Sequence, residues 1–384
     1  MSDYFKCQRC GNDDINKIGM RNGKPYCRAC ISFSSSKAEV KVRPSFSSLK
    51  LDYELSEEQN KVSNKVLTNY KNGINTIIDA VTGAGKTELV FATISYALTS
   101  GHKIGFVSPR REVTMEIASR FKKAFPKNSI ISVYGGHSYI LDAEIICLTS
   151  HQLYRYINFF DLIIFDEVDA FPYKGNEVLE SLFLRSIKGN HVLMSATPSM
   201  ELLQVYKKKG FDIVKLNVRY HGSPLPVPKV KILLPLFNIL YLIYVAKKLI
   251  KKRKKLFIFL PTINDVEMLY QMIKMFIKKG NFVHSRKKDK EEVIKSFREG
   301  KYDYLVTSTL LERGVTYEHL QVIVFKAEHS VFSQETLIQI SGRVGRKKIS
   351  PDGEVIFIGG KATKEMQNCI RIIEEKNKDL QDLF

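Results

Sequence analysis

The sequence predicts an α/β protein in which two parallel-sheet domains stand in tandem behind a small four-cysteine zinc ribbon. Three observations lead there. From about Ser56 onward, short apolar runs rich in β-branched residues alternate with helical stretches, the pattern of buried parallel strands. The segment Tyr220-His221-Gly222-Ser223-Pro224-Leu225-Pro226-Val227-Pro228 is too dense in proline for a helix or a central strand, and it splits the alternation into two series. Two Cys-x-x-Cys pairs stand ahead of both series.

In chain order, residues 1–35 hold the cysteines. Residues 36–54 read as a linker, because the stretch from Ser32 to Ser48 is rich in Ser and Lys and contains Pro44. The first domain, 55–222, carries strand-like runs at 76–80, 103–107, 130–133, 145–148, 162–165 and 191–194. The second, 223–384, carries them at 256–260, 281–283, 304–307, 322–325 and 354–358. The greasiest stretch, 232–246, is interrupted by Pro235 and Asn238 and falls short of the roughly 20 residues a bilayer span takes. It reads as core. The last twenty or so residues read as a helix packing back on its domain.

Sixty Lys and Arg against 40 Asp and Glu give a net charge of +20, which favours a polyanionic partner, either nucleic acid or an anionic membrane surface. A hydrophobic content of 44% and a charged content of 26% are those of a globular protein, so disorder is not the default. The start Met1-Ser2-Asp3-Tyr4 lacks the pattern of a secretory signal. Cysteines limited to one cluster plus the isolated Cys147 and Cys369 suit a reducing cytosol better than a disulfide framework.

Ala80-Val81-Thr82-Gly83-Ala84-Gly85-Lys86-Thr87 lies between a strand and a helical run from Glu88 to Leu98, the context of a phosphate-binding loop. Its glycines let backbone N–H groups curl around phosphates, and the helix N-terminus adds its positive end. Lys86 is expected on the β- and γ-phosphates of ATP, with the Thr87 hydroxyl on Mg²⁺. The first position is Ala80 where the general pattern has Gly. Asp166-Glu167-Val168-Asp169 closes the run 162–165, so Asp166 is expected on Mg²⁺ and Glu167 on the attacking water.

Further motifs follow in order. They are Gln59 upstream of the loop, Ser195-Ala196-Thr197-Pro198, Thr307-Ser308-Thr309-Leu310-Leu311-Glu312-Arg313-Gly314-Val315, and Gln339-Ile340-Ser341-Gly342-Arg343-Val344-Gly345-Arg346. This set resembles the superfamily 2 helicases and translocases over about residues 55–350, which implies two RecA-like domains with ATP bound between them. By that resemblance Arg343 and Arg346 act as arginine fingers on the γ-phosphate. Gln59, Thr82, Gly83, Ala84, Gly85, Gly314 and Gln339 fall at nucleotide-contacting positions. Ser195-Ala196-Thr197 would couple the ATP site to the nucleic-acid site. Pro109-Arg110-Arg111-Glu112, Gly135-Gly136, Thr149-Ser150-His151-Gln152, Ser308 and Thr309 would contact the phosphate backbone.

Cys7-x-x-Cys10 and Cys27-x-x-Cys30, sixteen residues apart, have the spacing of a structural Cys₄ zinc site, with Gly11 and Gly23 allowing the turns. A ribbon this small depends on its metal to fold. The run Lys247, Lys248, Lys251, Lys252, Arg253, Lys254 and Lys255 reads as a solvated helix end, with DNA or anionic lipid as the other reading, and Lys207-Lys208-Lys209 likewise. His191 and His284 read as structural.

The ribbon ahead of the phosphate loop, together with Asp166-Glu167-Val168-Asp169-Ala170-Phe171-Pro172 and Leu311-Glu312-Arg313-Gly314-Val315-Thr316, resembles the ComFA family of competence ATPases of Gram-positive bacteria. That resemblance spans nearly the whole chain. It implies a cytoplasmic motor, peripheral at the inner face of the cell membrane, that draws in single-stranded DNA during natural transformation. Its partners would be the channel ComEC, the companion ComFC and the single-strand binder DprA. Two alternatives stand beside it. PriA-like primosomal DNA helicases usually carry their zinc cysteines within the second domain. A non-enzymatic DNA-binding scaffold is hard to square with intact Lys86, Asp166, Glu167, Arg343 and Arg346. A DEAD-box RNA helicase fits less well, since the box here reads Asp-Glu-Val-Asp.

Overall fold

The computed structural model describes residues 5–8, 10–31, 37–39, 41, 45–137, 139–169, 173, 175–308 and 317–381. The chain forms two compact units, Met1–Ala80 with Gly85–Leu216, and Val81–Ala84 with Asn217–Phe384. The second unit thus takes in 217–222, which the sequence reading gave to the first domain. The physical reason is that Arg219 and His221 both hydrogen-bond to Gly345.

At the N-terminus β1 (Ile18–Arg21) and β2 (Lys24–Cys27) form an antiparallel hairpin. Asn22 and Gly23 turn it with φ of 51° and 72°, the left-handed pair that matches strand twist. The ribbon leans on the first unit: Val178 packs against the cysteine cluster, and a Cβ on Gly11 would come within 3.2 Å of Ser181 Oγ.

Residues 36–54 do not run free where they are described. Ala38 N donates to Arg155 O, Ser48 Oγ to Asn128 Oδ1 and Lys50 N to Ala124 O, while Asn128 Nδ2 donates back to Phe46 O. Their small hydroxyl and amide groups suit this role, because they pair with backbone that a neighbouring surface leaves open. The stretch is a strap.

The body of the first unit runs α1 (Glu57–Lys71), β3 (Thr76–Ala80), α2 (Phe91–Thr99), β4 (Ile104–Ser108), α3 (Arg111–Ala124), β5 (Ile130–Val133), β6 (Ile145–Thr149), β7 (Phe160–Asp166), α4 (Glu177–Ser186), β8 (Ile187–Ser195), α5 (Met200–Lys208) and β9 (Asp212–Leu216). Strand order is β5-β6-β4-β7-β8-β3-β9, with every pair parallel. Every residue of β3, β4 and β6 is buried, as helices on both faces require. Phe91, Phe106, Phe121 and Phe125 meet edge to face behind this sheet. Where one helix was expected over 88–98, a 3₁₀ turn (Glu88–Val90) leads into α2.

The second unit runs β10 (Lys229–Ile232), α6 (Pro235–Lys251), β11 (Lys255–Phe259), α7 (Ile263–Ile273), β12 (Gly280–Val283), α8 (Lys290–Arg298), β13 (Tyr304–Thr307), β14 (Leu320–Phe325), α9 (Gln334–Ser341), β15 (Val355–Gly359) and α10 (Lys364–Gln381). Its parallel sheet has the order β10-β15-β14-β11-β13-β12. The reading of 232–246 as core holds for one face only. On α6, Leu242, Val245, Ala246 and Leu249 are buried, while Leu236, Phe237, Leu240 and Tyr244 are exposed, because a helix offers the sheet only one stripe. Among the described residues no helix is long and apolar enough to cross a membrane.

Candidate nucleotide and nucleic-acid site

In a parallel sheet all strands end on the same edge, and ligands bind there. The first unit gathers its expected site residues on that edge. After β3 the chain turns through the phosphate loop, with Gly83 at φ 85° and Gly85 at φ 78°. These left-handed conformations favour glycine and leave backbone N–H groups pointing inward. Gly85 has a second reason to lack a side chain: a Cβ would meet Gln59 Nε2 at 2.5 Å. Gln59 Oε1 accepts from Ser56 N at 3.0 Å and Gln59 N donates to Ser56 Oγ, a capping box that opens α1 and fixes the amide beside the loop.

Lys86 is half-buried and Thr87 buried. The Thr87 hydroxyl accepts from Arg120 Nη1 at 3.4 Å, and Arg120 also pairs with Glu88. Tyr53 O–H donates to Glu88 Oε1 at 3.3 Å, and its pKa is pushed up to about 12 by burial and then by the Glu88 charge. Arg120, Glu88 and Tyr53 were missed in the sequence, where nothing signals that they meet.

Asp166 is the last residue of β7, and Glu167 follows at φ 57°. β8 lies between β7 and β3 and delivers Ser195 at its own end. Thr197 Oγ1 donates to Asp169 Oδ2 at 2.8 Å, both buried, and Thr197 N donates to Ser195 Oγ at 3.0 Å. The acidic box and the Ser-Ala-Thr turn are therefore directly bonded.

The expected backbone-contacting residues of the first unit share the same edge, after β4, β5 and β6. Arg110 stands at the N-cap position of α3 just after β4. The Gly135-Gly136 turn follows β5, where Tyr134 stacks on His137 and the Arg111 guanidinium lies 4.8 Å from the Tyr134 ring centre. Thr149 ends β6 and leads into the 3₁₀ turn Ser150–Arg155. His191 sits between Phe183 and Phe211, with its pKa driven down to about 4 by burial and then by Lys209, which fits its structural reading.

In the second unit Ser333 caps α9, which carries Gln339 and ends at Gly342. Thr82 packs so closely on Gly342 that a Cβ there would collide with the Thr82 hydroxyl. Arg343 is fully buried, whereas Arg346 is half-buried and its Nε donates to Gly342 O at 3.2 Å. Thr82 Oγ1 and Gln339 Oε1 are buried without a partner among the described residues. Ser308 follows β13, while Thr309 and Gly314 lie outside the described residues.

The cysteine Sγ atoms of Cys7, Cys10, Cys27 and Cys30 are all buried and lie within 4.8 Å of one another, with Cys7–Cys30 at 3.5 Å and Cys10–Cys27 at 3.7 Å. Four thiolates at about 2.3 Å from a tetrahedral ion would be close to such spacings. Burial pushes the Cys10 thiol up to about 11 and Cys30 up as well, a penalty on the charged form that a divalent cation reverses. The donor set fits Zn²⁺.

Residues 52–200 match the family model described as "Type III restriction enzyme, res subunit", and residues 237–348 match "Helicase conserved C-terminal domain". Competence protein ComFA of Bacillus subtilis (strain 168) is 33% identical, over 97% of this chain and 86% of that protein. The ComFA of Streptococcus pneumoniae (strain ATCC BAA-255 / R6) is 32% identical, over 97% and 90%. The chain belongs to the ComFA family. It is an ATP-dependent DNA helicase or translocase of superfamily 2. The DEAD-box helicase Mss116 bound to ssRNA shares the fold, with a TM-score of 0.64 at 18% identity, covering 85% of this chain and 80% of that one. S. cerevisiae Dbp5 bound to RNA does too, with a TM-score of 0.60 at 17% identity, covering 85% and 92%. These likenesses carry the RecA-like fold to this ComFA chain.

Thr197→Val removes the hydroxyl donor from a buried carboxylate and should cost ~1–3 kcal/mol, read as a drop of a few degrees in melting temperature. Thr197→Ser keeps the donor and should melt close to wild type. Identical melting of the Val variant would mean the bond contributes nothing.

Proposed function

We propose that the chain is a motor that moves along single-stranded DNA and draws it across the cytoplasmic membrane during natural transformation. The observation that carries this reading is the division of labour on one sheet edge. Phosphate-loop and acidic residues follow β3 and β7, loops suited to a nucleic-acid backbone follow β4, β5 and β6, and the Asp169–Thr197 bond joins the acidic box to the strand between β7 and β3. Lys86 would engage the β- and γ-phosphates, with the amides of Thr82, Gly83, Ala84 and Gly85 around them. Mg²⁺ would be held by Thr87 and Asp166 and would supply charge neutralisation at the phosphates. Glu167 would orient the attacking water, and Arg343 and Arg346 would stabilise charge on the γ-phosphate. DNA, as the track of such a motor, would stimulate turnover.

The cysteine cluster is read as a structural Zn²⁺ site, supported by its four converging buried sulfurs. The printed name of the relatives supports the competence setting. There ComEC, ComFC and DprA would be partners, at the inner face of the membrane.

ATP hydrolysis should be stimulated more by single-stranded DNA than by duplex DNA or RNA, and Lys86→Ala should abolish it. Equal turnover with and without DNA would remove the motor reading, and a preference for RNA would redirect it. Cys7→Ser combined with Cys10→Ser should lower zinc from about one ion per chain to near none by metal analysis, while basal ATPase persists. Unchanged zinc content would rule out the Cys₄ site.

A further inference from the structure

The segment leaving β9 carries two side chains that converge on one carbonyl. Arg219 Nη1 donates to Gly345 O at 2.7 Å, and His221 Nε2 meets the same oxygen at 3.0 Å. The histidine tautomer follows from its other nitrogen. Ser223 N donates to His221 Nδ1 at 3.3 Å, so Nδ1 is bare and Nε2 carries the proton that it donates to Gly345 O. A doubly protonated ring would lose the Ser223 bond.

The carbonyl itself is held in an unusual position. Gly345 has φ 66°, and a Cβ there would collide with Pro351 O, so a residue with a side chain would shift the oxygen. Arg346 comes next in the chain. Arg219 is 1% exposed, and its Nε and Nη2 have no partner among the described residues. Its side chain runs along Gly83, where a Cβ would stand 3.7 Å from Arg219 Cγ and Nε. Burying a guanidinium with spare donors near a second one, Arg346, is costly to stability. A tie needed only for stability would be better made by a neutral donor.

We propose that Arg219 and His221 are positioning residues for ATP hydrolysis, clamping the Gly345 carbonyl and so fixing the backbone from which Arg346 reaches the nucleotide's terminal phosphate. The proposal rests on the reading of Arg346 as an arginine finger. Its pH behaviour follows from the groups around His221, which are Arg219, the Tyr220 ring at 4.8 Å between centroids, and Arg346 beside Gly345. Burial first, and then the Arg219 charge, lower the His221 pKa, with the bond to Gly345 opposing them. The ring is therefore neutral at and above its ordinary pKa; as pH falls through the lowered value it gains a proton at Nδ1 and loses the Ser223 bond, while Nε2 goes on donating to Gly345 O.

The test is DNA-stimulated ATP turnover, with kcat and KM separated and melting temperature measured alongside. His221→Ala should lower kcat on the order of tenfold, with the ATP KM within about twofold. His221→Gln, whose amide N–H can donate to Gly345 O, should recover most of the rate. In an Arg346→Ala background, His221→Ala should cost nothing further. Wild-type kcat in His221→Ala, a His221→Gln no better than His221→Ala, or an undiminished His221→Ala loss on top of Arg346→Ala would each overturn the clamp. Were Arg346→Ala itself to turn over like wild type, the arginine-finger reading would fail first and the clamp with it.

Discussion

Parallel pairing of β3, β7 and β8 is the constraint on which the rest of the first unit hangs. In register, Asp79 stands opposite Ser195 and Asp166 opposite Met194. Three loops of different chemistry therefore leave the sheet within about two residues' rise, roughly 7 Å, of each other along the strand direction. An antiparallel neighbour would send its loop to the far edge. The phosphate loop, the acidic box and the Ser-Ala-Thr turn share one space because backbone hydrogen bonding allows no other arrangement, and the Asp169–Thr197 bond then has only a short gap to cross.

Much of this was legible from residue type alone. Strands such as β3 and β6 are buried on both faces, so their runs are largely apolar and stand out from any amphipathic helix. The edge strands β9 and β10 escaped notice for the opposite reason: Asp-Ile-Val-Lys-Leu and Lys-Val-Lys-Ile alternate with charge, as edges must if they are not to pair with other chains. The stretch behind Pro235 read as core because composition cannot tell how much of a greasy helix its sheet will cover. The cysteine cluster was legible because metal spacing is local. Arg219 and His221 were not, since their shared partner is a backbone oxygen more than a hundred residues away, and a carbonyl leaves no mark in a sequence.

Charges buried away from water recur where the units need fixed geometry. Lys103 and Asp142 form a pair at 2.6 Å with both side chains nearly covered, and Lys103 N donates to Asp161 Oδ2 at the foot of β4. Such pairs add little net stability but penalise misplacement heavily, because an unpaired buried charge is far worse than an exposed one. Arg343 is the same kind of group placed between α9 and the turn that holds Arg346.

The strap and the ribbon bear on how the chain can be shortened. Cutting just before α1 to obtain a minimal ATPase would remove more than a metal module. Asn128 would lose its contacts with Phe46 and Ser48, Gly101 would lose the Ser45 hydroxyl against it, and Val178 on α4 would be stripped of its cover. The trimmed protein would then present fresh apolar and unpaired polar surface beside α3 and α4. Poor solubility of such a fragment would reflect a wound on the first unit, with no bearing on whether its catalytic edge is competent.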